Sequence, residues 1–210
     1  MVDGETPRSD PAAMSNSSLI NVPMLLTYAR IAMIPLVVGV YYVPETWIAQ
    51  HWQNLIGCVL FTVAAITDWI DGWLARRNKQ ETRLGAFLDP VADKLMVCAA
   101  LLVLLDHGRV DSFVALIIIG REIAVSALRE WMAQIGASTS VAVNWLGKFK
   151  TIAQMVAIPF LLYHDPLFGV IPVKLIGELL IYAAAILTVY SMLYYLRLAW
   201  PHLAETKKNK

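Results

Sequence analysis

The chain has 210 residues, of which 58% are hydrophobic and only 16% charged, and its formal net charge is +1. These proportions exclude an ordinary soluble domain and a nucleic-acid binder working through a basic surface; they predict an integral membrane protein. The two cysteines, Cys58 and Cys98, fall inside apolar runs, which predicts packing and neither a disulfide framework nor a zinc site.

In chain order, residues 1–13 are polar, rich in Pro, Ser, Asp and Gly, and read as a mobile tail. No apolar central stretch marks a cleavable signal peptide there. Met14 to Val22 reads as a short interfacial helix. Six apolar segments follow, each long enough to cross roughly 30 Å of hydrocarbon. They run over about Pro23–Tyr42, Asn54–Arg76, Leu84–Leu105, Ser112–Ile135, Trp145–Tyr163 and Val173–Trp200. The expected fold is an all-α bundle of six transmembrane helices. Residues 14–203 form a single membrane domain, and 204–210 a basic C-terminal tail.

Loop charge sets the orientation. Arg76, Arg77, Lys79 and Arg83 follow the second segment, Lys148 and Lys150 open the fifth, and Lys207, Lys208 and Lys210 close the chain. The loops Pro44–Gln53, Asp106–Asp111 and His164–Pro172 hold one Arg and no Lys. The positive-inside rule therefore predicts both termini, and the loop after the second segment, in the cytoplasm. Trp47, Trp52, Trp131, Trp145 and Trp200 read as interfacial anchors, and the four histidines fall at segment ends, too far apart for a metal cluster.

The informative stretch is Thr67 to Lys94, TDWIDGWLARRNKQETRLGAFLDPVADK. On a helix, Asp68, Asp71, Gly72 and Ala75 share one face, at i, i+3, i+4 and i+7. Gly85, Asp89 and Asp93 repeat every four residues and share another. Two helix ends joined by a basic loop then bring four carboxylates together, and such a cluster repels itself unless divalent cations neutralise it. Magnesium or manganese suits oxygen ligands and leaves positions open for phosphate. Gly72 and Ala75 have almost no side chain, so a nucleotide can lie against the helix, with Arg76 and Gly85 completing the wall. Pro90 disfavours helix at Asp89; the apolar pattern of Leu84, Phe87, Leu88 and Val91 favours a helix that begins near Thr82 and bends at the proline.

Other ionisable residues lie within apolar segments, where each costs roughly 2.5–3.5 kcal/mol on insertion scales. GREIAVSALRE (Gly120 to Glu130) supplies Arg121, Arg129, Glu122 and Glu130, and GKFKTIAQ (Gly147 to Gln154) supplies Lys148 and Lys150. The simplest arrangement is one water-filled cavity with acids from two helices facing bases from two others. The bland reading pairs Asp68 or Asp71 with Arg76 or Arg77, and lets Arg121, Arg129, Lys148 and Lys150 snorkel to headgroups. Lys94 pairs with an acid or snorkels, and Glu122 and Glu130 hold the arginines.

The Asp68–Asp93 pattern resembles, position for position, the signature of the CDP-alcohol phosphotransferase family of membrane enzymes, which transfer a substituted phosphate from a CDP-linked donor to an alcohol and release CMP. The resemblance implies metal ligation by Asp68, Asp71, Asp89 and Asp93, with Asp93 also the general base. It implies CDP binding by Asp68, Gly72, Ala75, Arg76 and Gly85, and two Mg²⁺ or Mn²⁺ ions. The segments NVP…LTxxR (Asn21 to Arg30), GREI…SALRE and GKxKTxxQ are similar to those of bacterial members that use CDP-diacylglycerol and sn-glycerol 3-phosphate. Met24 departs from them, standing where relatives often have Asn. On this resemblance Arg121, Lys148, Arg129 and Lys150 bind the acceptor phosphate, and the enzyme is a homodimer among the lipids of a bacterial inner membrane. Competing readings are another acceptor in the same family, an intramembrane cation transporter and an intramembrane prenyltransferase.

Overall fold

A computed structural model describes residues 22–78, 83–135 and 145–205, without the side chains at 22, 23, 71–78, 83, 86, 145–148, 198, 199 and 201–205. It contains six helices: α1 (Val22–Tyr42), α2 (Gln50–Asn78), α3 (Arg83–Asp106), α4 (Ser112–Gln134), α5 (Trp145–Tyr163) and α6 (Val173–Glu205). Apart from one isolated bridge between Leu167 and Ile171, no strand pairing occurs among the described residues. The fold is all-α, as expected. The interfacial helix expected before Val22 and the tail 1–13 lie outside the described residues.

Among the described residues, three helices are long and apolar enough to cross a membrane, over Met24–Tyr42, Gln50–Ile70 and Val173–Arg197. Within α5 the apolar run among the described residues is Phe149–Tyr163. Helices suit this setting because hydrocarbon offers backbone groups no partner outside the segment. Polar side chains in α2 follow the same logic. The Thr62 hydroxyl donates to the Cys58 carbonyl and that of Thr67 to Val63, each at 2.7 Å, so neither donor faces apolar surroundings unpaired. Pro35, Pro90 and Pro159 all lie inside helices. Helix α3 therefore runs through Pro90 and is helical from Arg83, the first described residue after Asn78; the expected start near Thr82 lies outside the described residues. Both cysteines are free.

Helix ends are fixed by local chemistry. Gly108 takes φ +63°, a left-handed conformation that favours glycine. It lets the Gly108 and Arg109 amides donate to the carbonyls of Leu105 and Leu104, closing α3 in a Schellman motif. The next helix starts on an N-cap, with Asp111 accepting from the Phe113 amide at 2.8 Å.

Packing is most extensive between α5 and α6, and α1 lies against both α2 and α3. The main core joins Val37 and Tyr41, Phe61 and Ala64, Leu101 and Leu104, Ile118, and Ile158, Leu161 and Leu162. A smaller cluster of Val125, Met132 and Tyr195 joins α4 to α6. Close approach of α1 to α2 depends on Gly57: a β-carbon there would lie 2.5 Å from the buried Tyr41 ring.

Candidate active site

A cavity of about 430 Å³ opens among Asp68, Asp89 and Asp93, Arg121, Glu122 and Arg129, and Lys150 and Gln154. Acids from α2 and α3 thus face bases from α4 and α5, the arrangement expected of ionisable residues placed in apolar segments. Gly85 is buried in the first turn of α3. The side chains of Asp71, Ala75, Arg76 and Lys148, and the surroundings of Gly72, lie outside the described residues.

Helix α1 forms a third side of the acidic cluster. Arg30 Nη1 is 2.9 Å from Asp68 Oδ1 and 2.7 Å from Asp93 Oδ1, and only 2% of its side chain is exposed. One turn earlier, the Thr27 hydroxyl donates to Asp89 Oδ1 at 2.5 Å. Two residues at i, i+3 on one helix therefore touch three acids carried by two others. Asp68 pairs with Arg30, a residue whose part in the site sequence reading missed; the side chains of Arg76 and Arg77, its expected partners, lie outside the described residues. A threonine and an arginine inside an apolar run were the available signal, since both need buried partners. Among the described residues no three Asp, Glu, His or Cys side chains close around a single ion-sized point.

The bases are held in turn. Arg121 Nη1 lies 3.4 Å from Glu122 Oε1, and the same oxygen accepts a short hydrogen bond from Lys150 Nζ. Arg121 and Lys150 are both buried, so neither snorkels toward headgroups. Across the interface with α6, Arg121 Nη2 donates to Ser191 Oγ at 3.2 Å and Arg129 Nη2 to Tyr195 Oη at 3.1 Å. Glu122 holds a lysine from another helix as well as its neighbouring arginine. Lys94, expected to pair with an acid or to snorkel, donates at 3.0 Å to the Pro90 carbonyl. Arg121 Nε and Gln154 Oε1 are buried without a hydrogen-bond partner. Both residues line the cavity, so it retains donor and acceptor capacity for a bound molecule.

Comparison with known proteins matches residues 20–190 to the model of the CDP-alcohol phosphatidyltransferase family. The chain belongs to this family of enzymes. It is 48% identical over 187 residues to proteins of Shigella flexneri serotype 5b (strain 8401) and Escherichia coli (strain K12), an alignment covering 88% of this chain and 98% of each relative. A Salmonella choleraesuis (strain SC-B67) protein is 47% identical over 181 residues, which is 85% of this chain and 94% of that one. All three are named CDP-diacylglycerol–glycerol-3-phosphate 3-phosphatidyltransferase. Family membership sets aside the transporter and prenyltransferase readings and leaves the acceptor as the question the site must answer.

Proposed function

We propose that the protein transfers the phosphatidyl group from CDP-diacylglycerol to sn-glycerol 3-phosphate, giving phosphatidylglycerophosphate and CMP. The observation that carries this reading is the cavity where α2 and α3 carboxylates face α4 and α5 cations. A donor diphosphate and an acceptor phosphate need those two environments side by side. The names of the relatives agree with it.

Oxygen donors suit a hard divalent cation. Asp68 and Asp93 already direct one oxygen each at a single cationic nitrogen of Arg30, a stand-in for metal charge. Asp68, Asp71, Asp89 and Asp93 would hold Mg²⁺ or Mn²⁺. When bound, the metal neutralises diphosphate charge and stabilises the oxygen that leaves with CMP. Asp93 acts as general base, accepting the proton of the acceptor hydroxyl as its oxygen bonds to the phosphatidyl phosphorus and the bond to CMP breaks. Arg121, Arg129, Lys148 and Lys150 hold the acceptor phosphate, where arginine forks suit a dianion. Gly72, Ala75, Arg76 and Gly85 receive the cytidine nucleotide.

In this reading all six helices cross the bilayer. Asp89, Asp93 and Lys94, which depress the hydropathy of α3, and Arg121, Glu122 and Arg129, which depress that of α4, line the cavity. The cavity opens to the cytoplasm of a bacterial inner membrane, with both termini on that side, and the enzyme works as a homodimer. Purified protein in detergent, given CDP-diacylglycerol, glycerol 3-phosphate and Mg²⁺, is expected to release CMP. Turnover with serine or inositol phosphate, and none with glycerol 3-phosphate, would replace this acceptor with another of the family.

A further inference from the structure

Helix α6 carries none of the residues that the acidic pattern or the basic segments supply, yet it reaches the cavity's arginines. Thr188, Ser191 and Tyr195 fall at i, i+3 and i+7, on one face, and all three are buried. Ser191 Oγ donates to the Thr188 carbonyl at 3.0 Å, so its hydrogen is engaged and its lone pairs are left for Arg121. Tyr195 is fully buried and packs with Val125 and Met132. Its hydroxyl accepts from Arg129 Nη2, and its ring lies under the same guanidinium, 5.3 Å from Cζ to ring centroid.

From this geometry we propose that Ser191 and Tyr195 are positioning residues that orient Arg121 and Arg129 toward the acceptor phosphate. They thereby set the enzyme's preference for a phosphorylated over an unphosphorylated alcohol. The inference deepens the reading of the acceptor site and rests on it. A free arginine side chain samples many rotamers, and fixing its plane in advance removes that loss from the binding step. Tyr195 fixes Arg129 in two ways, with a hydroxyl oxygen that accepts from Nη2 and a ring over which the guanidinium carbon lies. Ser191 fixes Arg121 at one Nη, leaving Nε, which is buried and has no hydrogen-bond partner, as a donor for the ligand. Neither α6 residue needs to touch the substrate.

The test is Tyr195→Phe, which keeps the ring and removes the accepting oxygen, with Ser191→Ala as an independent second variant. Initial rates are measured with glycerol 3-phosphate and with glycerol, and the KM for CDP-diacylglycerol is followed in parallel. For each variant the KM for glycerol 3-phosphate is expected to rise about fivefold, the factor one ordinary net hydrogen bond supplies. The preference for glycerol 3-phosphate over glycerol falls by the same factor, while kcat and the donor KM are unchanged. A merely structural role would move both acceptors and the donor together, and that result, or an unchanged preference in both variants, overturns the proposal. Arg129→Ala separates the two levels. If it removes the preference while Tyr195→Phe and Ser191→Ala do not, the positioning role fails and the acceptor site stands. If Arg129→Ala also leaves the preference intact, the acceptor-site assignment of Arg129 fails, and the positioning role with it.

Discussion

Two ends of the bundle bury arginine, and they do so differently. At the far end from the acids, Arg109 donates to the carbonyls of Leu161 and Leu162 at 3.2 and 2.8 Å and to Asn54 Oδ1 at 2.6 Å. Its guanidinium also lies 5.8 Å from the Tyr41 ring centroid, and the Tyr41 hydroxyl donates to the Leu162 carbonyl. Asn54 passes a further bond to Asp165 at 3.2 Å. That network is tied to backbone and ties α2, the α3–α4 turn and α5 together. At the acidic end the partners of Arg30, Arg121 and Lys150 include side chains of other helices, and Arg121 and Gln154 keep unused polar atoms beside a cavity. A buried charge is therefore no sign of a site by itself; unsatisfied capacity next to open space is. Size is a poor guide too. The far-end cavity, lined by Arg109, Asp111 and Glu178 among others, is about 510 Å³, larger than the one among the acids.

The sharpest way to break this contrast is at the acids. Asp93→Asn is expected to lower CMP release by about 10³-fold, within the range of a lost general base, with little change in thermal midpoint. Retained activity would remove Asp93 from the chemistry. Chelation with EDTA should likewise stop turnover and added Mg²⁺ or Mn²⁺ restore it; activity indifferent to chelator would sink the metal reading. Arg109→Met should do the opposite of Asp93→Asn. Unpairing buried Asn54 and a Leu161 carbonyl costs on the order of 2–3 kcal/mol, so the thermal midpoint drops while both KM values hold. At the cavity, Arg121→Ala should raise the acceptor KM about tenfold, as for loss of a charge-assisted contact, with the donor KM unaffected.

The smallest effect belongs to His164 in the α5–α6 loop. Burial first, then the positive charges of Arg109 and Lys174, push its imidazole below the ordinary pKa, against weaker opposing pulls from Asp165 and Glu178. The unfolded chain then binds a proton more readily than the folded one. The stability this residue contributes is present above its unfolded pKa, about 6.5, and is lost as pH falls through the lower folded value. His164 also has φ +61°, which Asn tolerates. His164→Asn should therefore flatten the fall in thermal midpoint between neutral and mildly acid pH without changing catalysis. An unaltered pH slope would assign that fall to other groups.

Much of this was legible in the sequence because it is local. Breaks near Pro44, His107 and His164 separate apolar runs, and the four-residue repeat of Gly85, Asp89 and Asp93 sets their shared face. The proline at 90 lies within a helix because Leu84 to Val91 keep the helical apolar pattern around it. The cavity's opposed charges followed from asking why Arg121 and Lys150 stand in apolar segments. Long-range partner choice was not legible. Arg30 with Asp93 and Arg121 with Ser191 are contacts between residues 63 and 70 positions apart, and no spacing along the chain encodes them. Nor does periodicity show whether a serine and a tyrosine in α6 face lipid or α4; the packing of α4 on α6 decides that.

Gly57 sits 11 residues before Asp68 on α2, a separation of about 16 Å along the helix. Tyr41 cannot swing aside for a new methyl group without surrendering its bond to the Leu162 carbonyl. Gly57→Ala would thus act as a shim driven between two rods at one end. The gap it opens would be felt at the other end, where Thr27 and Arg30 of the first rod grip carboxylates, Asp68 of the second among them. Catalytic alignment in this enzyme is then partly a matter of how thin the joint is at the opposite end of these two helices.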